Sequence, residues 1–349
     1  MQGYIIVIGP LPFYTNSKQK KGVEQVRETA APPRAALQDR AVGAGLRKWR
    51  QFWKFRYLTL MVLPTVIVLI LNNYLPMFGL FIAFKKINYI DGIWHSPWVG
   101  FENFTFLFNN GSLWRIVRNT VGYSLTFMIL NLVLSVALAV AINELRSRLA
   151  ARTYQTFLIM PHFLSMVVVS YLVYAFLHPT SGFINSSILE WFGKEPISWY
   201  MDKQYWPFIL TIVNAWKGVG MGAVVYIAAI SGIDPEYYEA AVIDGASKWR
   251  QIWHITLPSI RPIIIIMTIL SMGHVFNSDF GLFYQVTMDS GMLYPVTDTV
   301  DTYVYRVMTQ LNDIGMSSAA ALVQSVLGFI MVLLTNGVVR KIDSEQALF

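Results

Sequence analysis

Uncharged stretches long enough to cross a bilayer dominate this chain, and its polar residues gather in the short segments between them. A helix crosses the hydrocarbon layer in about 20 apolar residues. One stretch runs from Tyr57 to Phe84, with Asn72, Asn73 and Pro76 placing the end of the span near Leu75. A second runs from Asn119 to Asn143, and a third from Thr153 to His178. A fourth covers Trp206 to Ile230 with Lys217 inside it, a fifth Pro262 to Phe280, and a sixth Ile314 to Val339. The pattern predicts an all-α integral membrane protein with six transmembrane helices over residues 57–343. The connections are too short for a large soluble domain.

Lys and Arg near the span ends set the expected orientation. Arg47, Lys48, Arg50, Lys54 and Arg56 precede span one. Arg146, Arg148 and Arg152 separate spans two and three, Lys248, Arg250 and Arg261 separate four and five, and Arg340 and Lys341 follow six. These segments share one side, so both termini are expected in the cytoplasm, although Lys85, Lys86, Arg115 and Arg118 stand on the other. Residues 1–56 read as a cytoplasmic tail, apolar over 1–14 and polar over 15–45. It ends in LRKWRQFWKFRY (46–57), whose interleaved basic and aromatic residues suit a helix lying in the headgroup layer. Residues 344–349 read as a second short tail.

The connection between spans four and five, residues 231–261, is too long and too apolar for a turn. Asp234-Pro235 is a helix-start signal. Tyr237, Ala240, Ala241 and Ile243 lie near one face of the helix that follows, with Glu236, Glu239 and Asp244 along an acidic edge. Gly245 can end that helix, and Ser247 can cap a second one running through Trp249, Ile252 and Trp253. Leu257-Pro258 is expected to close it, because proline disfavours helix at the residue before it. The prediction is a rigid helix–turn–helix knob between two membrane spans.

Composition narrows the chemistry. The chain is 55% hydrophobic and 13% charged, against about 25% charged in soluble domains. It contains no cysteine, which excludes disulfides and thiolate metal sites. The formal charge of +7 is spread over short segments rather than one face, so nucleic acid is not an expected partner. No phosphate loop of the G-x-x-x-x-G-K-[ST] type, no H-E-x-x-H and no G-x-S-x-G occurs, and the histidines are scattered. No metal or catalytic cluster is expected.

Glu239-Ala240-Ala241, Gly245 and Ile255-Thr256-Leu257-Pro258 together resemble the EAA loop of type I ABC importer permeases. Arg118-Asn119-Thr120, Asn143-Glu144-Leu145, Arg152–Thr156, Pro161-His162-Phe163 and TDTVDTYVYR (297–306) resemble the branch of that family that imports oligo- and polysaccharides, alginate importers included. The resemblance covers residues 55–349. It implies that Glu239, Ala240, Ala241, Asp244, Gly245, Ile255, Leu257 and Pro258 form a cytoplasmic coupling element docked on an ATPase dimer. That dimer would hold the ATP and Mg, and no cofactor would sit in this chain. It also implies a second related permease subunit, an extracytoplasmic solute-binding protein, a saccharide cargo, and a place in the bacterial inner membrane.

Polar and aromatic residues inside spans are expensive in lipid and usually face a cavity or a partner. Asn214, Trp216 and Lys217 in span four, His274, Asn277 and Asp279 in span five, and Gln324 in span six are therefore candidates for the transport path. Satisfaction of one another, or of backbone groups within the bundle, is the competing explanation. A membrane-embedded enzyme using Lys217, His274 and Asp279 is the alternative function.

Overall fold

The computed structural model describes residues 54–109, 113–310 and 312–342. Most of the tail expected over 1–56, including nearly all of its interfacial helix, and the tail at 344–349 fall outside them. The chain divides after Met77 into two compact units. Among the described residues the principal helices, in chain order, are α1 (Arg56–Phe84), α2 (Leu113–Asn143), α3 (Arg148–Phe163), α4 (Met166–Leu177), α5 (Trp206–Ser231), α6 (Pro235–Ile243), α7 (Lys248–Met272), α8 (Val300–Gln310) and α9 (Ile314–Ile342). Five of them are long and apolar enough to cross a membrane, and six if the bent pair α3–α4 is one span. The all-α, six-span expectation matches this arrangement.

Spans one, three and five depart most from expectation, and each contains a proline. Helix α1 does not stop near Leu75. A π turn at Ile70–Tyr74 precedes Pro76 and the helix tightens to 3₁₀ turns over Phe78–Phe84. Asn72 does not break the helix, because its amide donates to the Val68 carbonyl one turn back at 3.1 Å. Span three is broken rather than continuous. Around Pro161 it passes through a 3₁₀ turn, Met160–Phe163, and an extended Leu164 with ψ 133°, then bends by 97°. Ser165 restarts it by accepting from the Val168 N–H at 3.3 Å. Span five begins at Lys248, fourteen residues before the expected Pro262, and ends at Met272 rather than Phe280.

Pro258 therefore does not close the second knob helix. A π turn at Ile252–Thr256 precedes it and the helix continues through Leu257–Met272. The wider turn takes the backbone out of the regular i−4 ladder, where the missing N–H and the ring of a proline cost least. The knob is thus continuous with span five.

Helices α2 and α5 pack along their length. Asn131 donates to Asn214 at 2.9 Å and Ser135 to the Val219 carbonyl at 3.1 Å. Gly220 brings α5 against α3, since a Cβ there would lie 1.8 Å from the Leu158 carbonyl oxygen. One buried cluster, including Val169, Leu177, Trp206, Leu210, Leu282 and Leu293, fills the end away from residues 231–261. Another, of Ala139, Tyr226, Ile230 and Ile260, lies towards them.

Candidate functional site

The segment after α5 folds from local signals. The Asp234 side chain accepts from the Glu236 N–H at 3.0 Å and Pro235 occupies the first turn of α6, where its absent donor is not missed. Gly245 ends the helix at φ +75°. Ala246 N–H then reaches the Ala241 carbonyl at 2.8 Å and Gly245 N–H the Val242 carbonyl at 3.0 Å, a Schellman closure. Ser247 caps the next helix, accepting from Arg250 N–H at 3.4 Å.

Tertiary bonds then hold the two helices of the knob. The Tyr238 hydroxyl and Thr256 Oγ1 lie 3.0 Å apart, and Gln251 Nε2 donates to the Ala246 carbonyl at 3.1 Å. Lys248 pairs with Glu144 at the end of α2 at 3.2 Å. Glu239, Ala240, Asp244, Gly245 and Pro258 are exposed, while Ala241, Ile255 and Leu257 are half-buried. Ile243 is 86% exposed and Trp249 68%. Exposed apolar side chains grouped on a rigid element mark a surface built for a partner. The pairing of Tyr238 with Thr256 was not legible in the sequence, because a hydroxyl pair across a bend has no spacing signature.

The transmembrane candidates have separate duties. Lys217 Nζ donates to the carbonyls of His162 at 2.9 Å and Leu164 at 2.6 Å, satisfying the backbone left open by the 97° bend. Asn214 is held by Asn131. Trp216 is 41% exposed on the side of α5. His274, Asn277 and Asp279 lie beyond the end of α7, outside any helix, and all three are exposed. His274 Nδ1 lies 3.0 Å from the Leu270 carbonyl, and the Asn277 carbonyl accepts from Ser124 at 3.1 Å. Asp279 accepts from the Leu282 N–H at 3.1 Å. Lys217, His274 and Asp279 are thus each engaged with backbone groups, in arrangements that fix the chain rather than activate a nucleophile.

Gln324 belongs to a buried network. It donates to the Phe276 carbonyl at 2.6 Å and to both Asp301 oxygens at 3.2 Å. Asp301 also accepts from the Ser278 N–H at 2.6 Å and its hydroxyl at 2.8 Å. Beside it, buried Asp298 pairs with Arg306 and, at 3.3 Å, with Arg115. Arg306 in turn reaches Asp289 at 3.0 Å and lies over the Tyr294 ring. Burial pushes the Asp298 carboxyl above the usual carboxylate range, while Arg306 and Arg115 draw it back down. Asn119 donates to the Asp298 carbonyl at 3.1 Å, and Thr120 accepts from Val300 N–H at 2.9 Å. The TDTVDTYVYR and Arg118-Asn119-Thr120 signatures therefore meet in space. They lock α8 onto the start of α2.

A family model described as binding-protein-dependent transport system inner membrane component matches residues 131–344, which include the whole knob and the network's Asp301 and Gln324. The chain belongs to this family. The permease is 34% identical over 303 residues to Protein LplB of Bacillus subtilis (strain 168), covering 87% of this chain and 94% of the relative. It is also 34% identical over 294 residues to the polygalacturonan/rhamnogalacturonan transport system permease protein YteP of the same organism, covering 83% and 89%. Among solved structures it is similar to a bacterial ABC transporter involved in the import of the acidic polysaccharide alginate. The match has a TM-score of 0.77 and 32% identity, covering 85% of this chain and 99% of that one. A bacterial alginate ABC transporter in complex with an alginate pentasaccharide-bound periplasmic protein matches with a TM-score of 0.76. The permease is accordingly a multi-pass inner-membrane subunit of an ATP-driven importer, and ATP hydrolysis resides in a separate chain. The enzyme alternative finds no support among these relatives.

Proposed function

We propose that this permease moves an oligo- or polysaccharide, with acidic glycans such as alginate as the leading cargo class. Support comes from relatives named for polygalacturonan/rhamnogalacturonan transport and from the alginate importer. In this reading both termini are cytoplasmic, so Pro235–Ile243 and the helix after it form the coupling element. Glu239, Ala240, Ala241 and Asp244 meet one subunit of an ATPase dimer that holds the ATP and Mg. Gly245 fixes the bend, and Ile255, Leu257 and Pro258 carry its motion into α7. A second, related permease completes the pore, and a saccharide-loaded binding protein docks on the opposite end.

The observation that carries the coupling assignment is the Schellman-closed knob, continuous with a membrane span, that presents Glu239 and Ala240 to solvent. A rigid knob transmits displacement to the spans, and ATP drives the cycle by binding one of two global states more tightly. Of the path candidates, Trp216, His274, Asn277 and Asp279 are exposed and are the ones that would meet cargo, whereas Asn214, Lys217 and Gln324 hold the walls in position. The test is ATPase activity of the reconstituted complex with binding protein loaded with alginate, polygalacturonan or neutral oligosaccharides. Stimulation by an acidic glycan is expected. Stimulation by neutral glycans alone would remove the acidic-cargo assignment.

A further inference from the structure

A cavity of about 590 Å³ lies between α2 and α5 at the end away from the knob. Its walls change character along its length. At the mouth stand Arg118 and Asn119; further in, the lining is Gly122, Leu130, Phe208 and Ile212. Phe208 and Ile212 are 71% and 67% exposed, so the groove opens sideways at the surface of the helix bundle. Thr126 and Thr211 also line it, but each donates its hydroxyl to its own helix, to the Gly122 carbonyl at 2.8 Å and the Pro207 carbonyl at 2.6 Å. The Asn119 amide is likewise committed, to the carbonyls of Pro295 and Asp298. The Tyr123 hydroxyl, buried without a hydrogen-bond partner, is the one lining group among these left free to donate, and the rest of the interior is apolar.

Depth along α2 points to the occupant. The helix spans 31 residues, about 46 Å at 1.5 Å per residue, longer than the roughly 30 Å hydrocarbon layer. The uncharged stretch begins after Arg118, which places that guanidinium at headgroup level. Leu130 lies a further twelve residues in, about 18 Å deeper at the same rise. Neighbouring cations are neutralised: Arg115 and Arg306 pair with carboxylates. Arg118 has no carboxylate within ion-pair distance among the described residues and donates only to the neutral oxygens of Asn119 and Pro295, at 3.2 and 3.4 Å.

We propose that this groove is a phospholipid site, with the lipid phosphate on Arg118 and one acyl chain lying along Gly122, Leu130, Phe208 and Ile212 between α2 and α5. An anionic head and an apolar tail about 18 Å long match the charge at the mouth and the apolar depth behind it. A lipid held there would wedge the two helices that Asn131–Asn214 and Ser135–Val219 join deeper in the membrane. The site goes beyond the transport assignment and does not depend on the identity of the cargo.

The experiment is native mass spectrometry of the complete importer complex, delipidated and titrated with phosphatidylglycerol. One lipid is expected to be retained by the permease. Gly122→Leu extends a side chain into the groove from a position where a Cβ meets nothing within 4 Å. It and Arg118→Gln are each expected to lower retention by about tenfold, the scale of a lost charge-assisted contact. Val133→Leu, on an exposed part of α2 outside the groove, leaves retention unchanged. Benzoylphenylalanine at position 208 in the otherwise unaltered complex is expected to yield an adduct of phospholipid mass, a readout that stands if the variants fail to assemble. Unchanged retention in both groove variants would overturn the proposal. So would a photo-adduct with a peptide of the second permease or with the saccharide.

Discussion

The two ends of this permease treat polar and apolar groups in opposite ways. At the knob, residues 235–258 satisfy their backbone through caps and a glycine closure but leave Ile243, Trp249, Glu239 and Ala240 in the open. At the other end Asp298, Asp301, Arg306 and Gln324 are almost wholly occupied with one another and with carbonyls of distant segments. In the proposed reading, the knob is a surface that a second chain completes. The opposite end is a clasp completed within the chain, tying α8 to α2 and the end of α7 to α9. An element that transmits motion needs internal rigidity and an unfilled face, whereas the anchor it works against needs its contacts filled.

Substitutions can separate the two behaviours. The largest effect is expected from Asp298→Ala, which strips a buried partner from Arg306 and Arg115. Removing one member of a buried pair costs about 3–5 kcal/mol, so the thermal midpoint of the purified complex should fall by several degrees. Lys217→Met should come next, at about 1–3 kcal/mol, because it unpairs the carbonyls at the α3–α4 bend. The same thermal measurement checks it, and an unchanged midpoint would return Lys217 to the path. Gly245→Val has room for its side chain but must hold φ +75°, a cost of about 1–2 kcal/mol. Its stability loss is modest, yet binding-protein-stimulated ATPase should collapse, which reconstitution would read. The smallest effect belongs to Tyr238→Phe. It deletes the bond to Thr256, worth about 0.5–1.5 kcal/mol, and should loosen coupling only partially.

The same contrast explains what could be read from the chain alone. The knob was legible because Asp234, Pro235, Gly245 and Ser247 act on the backbone within a few residues of themselves. Five spans were legible from uncharged length, since lipid imposes it directly. The bend in span three was not, because Pro161 alone does not distinguish a kink from a 97° break; Lys217, 55 residues beyond His162, supplies what the break requires. The continuation of α7 through Pro258 was hidden for a related reason, as the preceding π turn leaves no mark in composition. His274, Asn277 and Asp279 were assigned to span five because the apolar run continues past Met272, although the helix does not. Lys217, Gln324 and Asp279 stand out in the sequence as candidates for the path, while the partners they have are carbonyls, an N–H and side chains brought together only by the fold.

The central claim is that the exposed face of the knob is where the ATPase docks. The chain contains no cysteine, so Ala240→Cys introduces a single reactive site on that face. Cross-linking this variant in the assembled complex with a short thiol-reactive reagent tests the claim most directly. The account predicts a cross-link to the ATPase subunit whose yield changes when ATP is added. An accessible cysteine that forms no cross-link to the ATPase in an intact complex, with or without ATP, would contradict it.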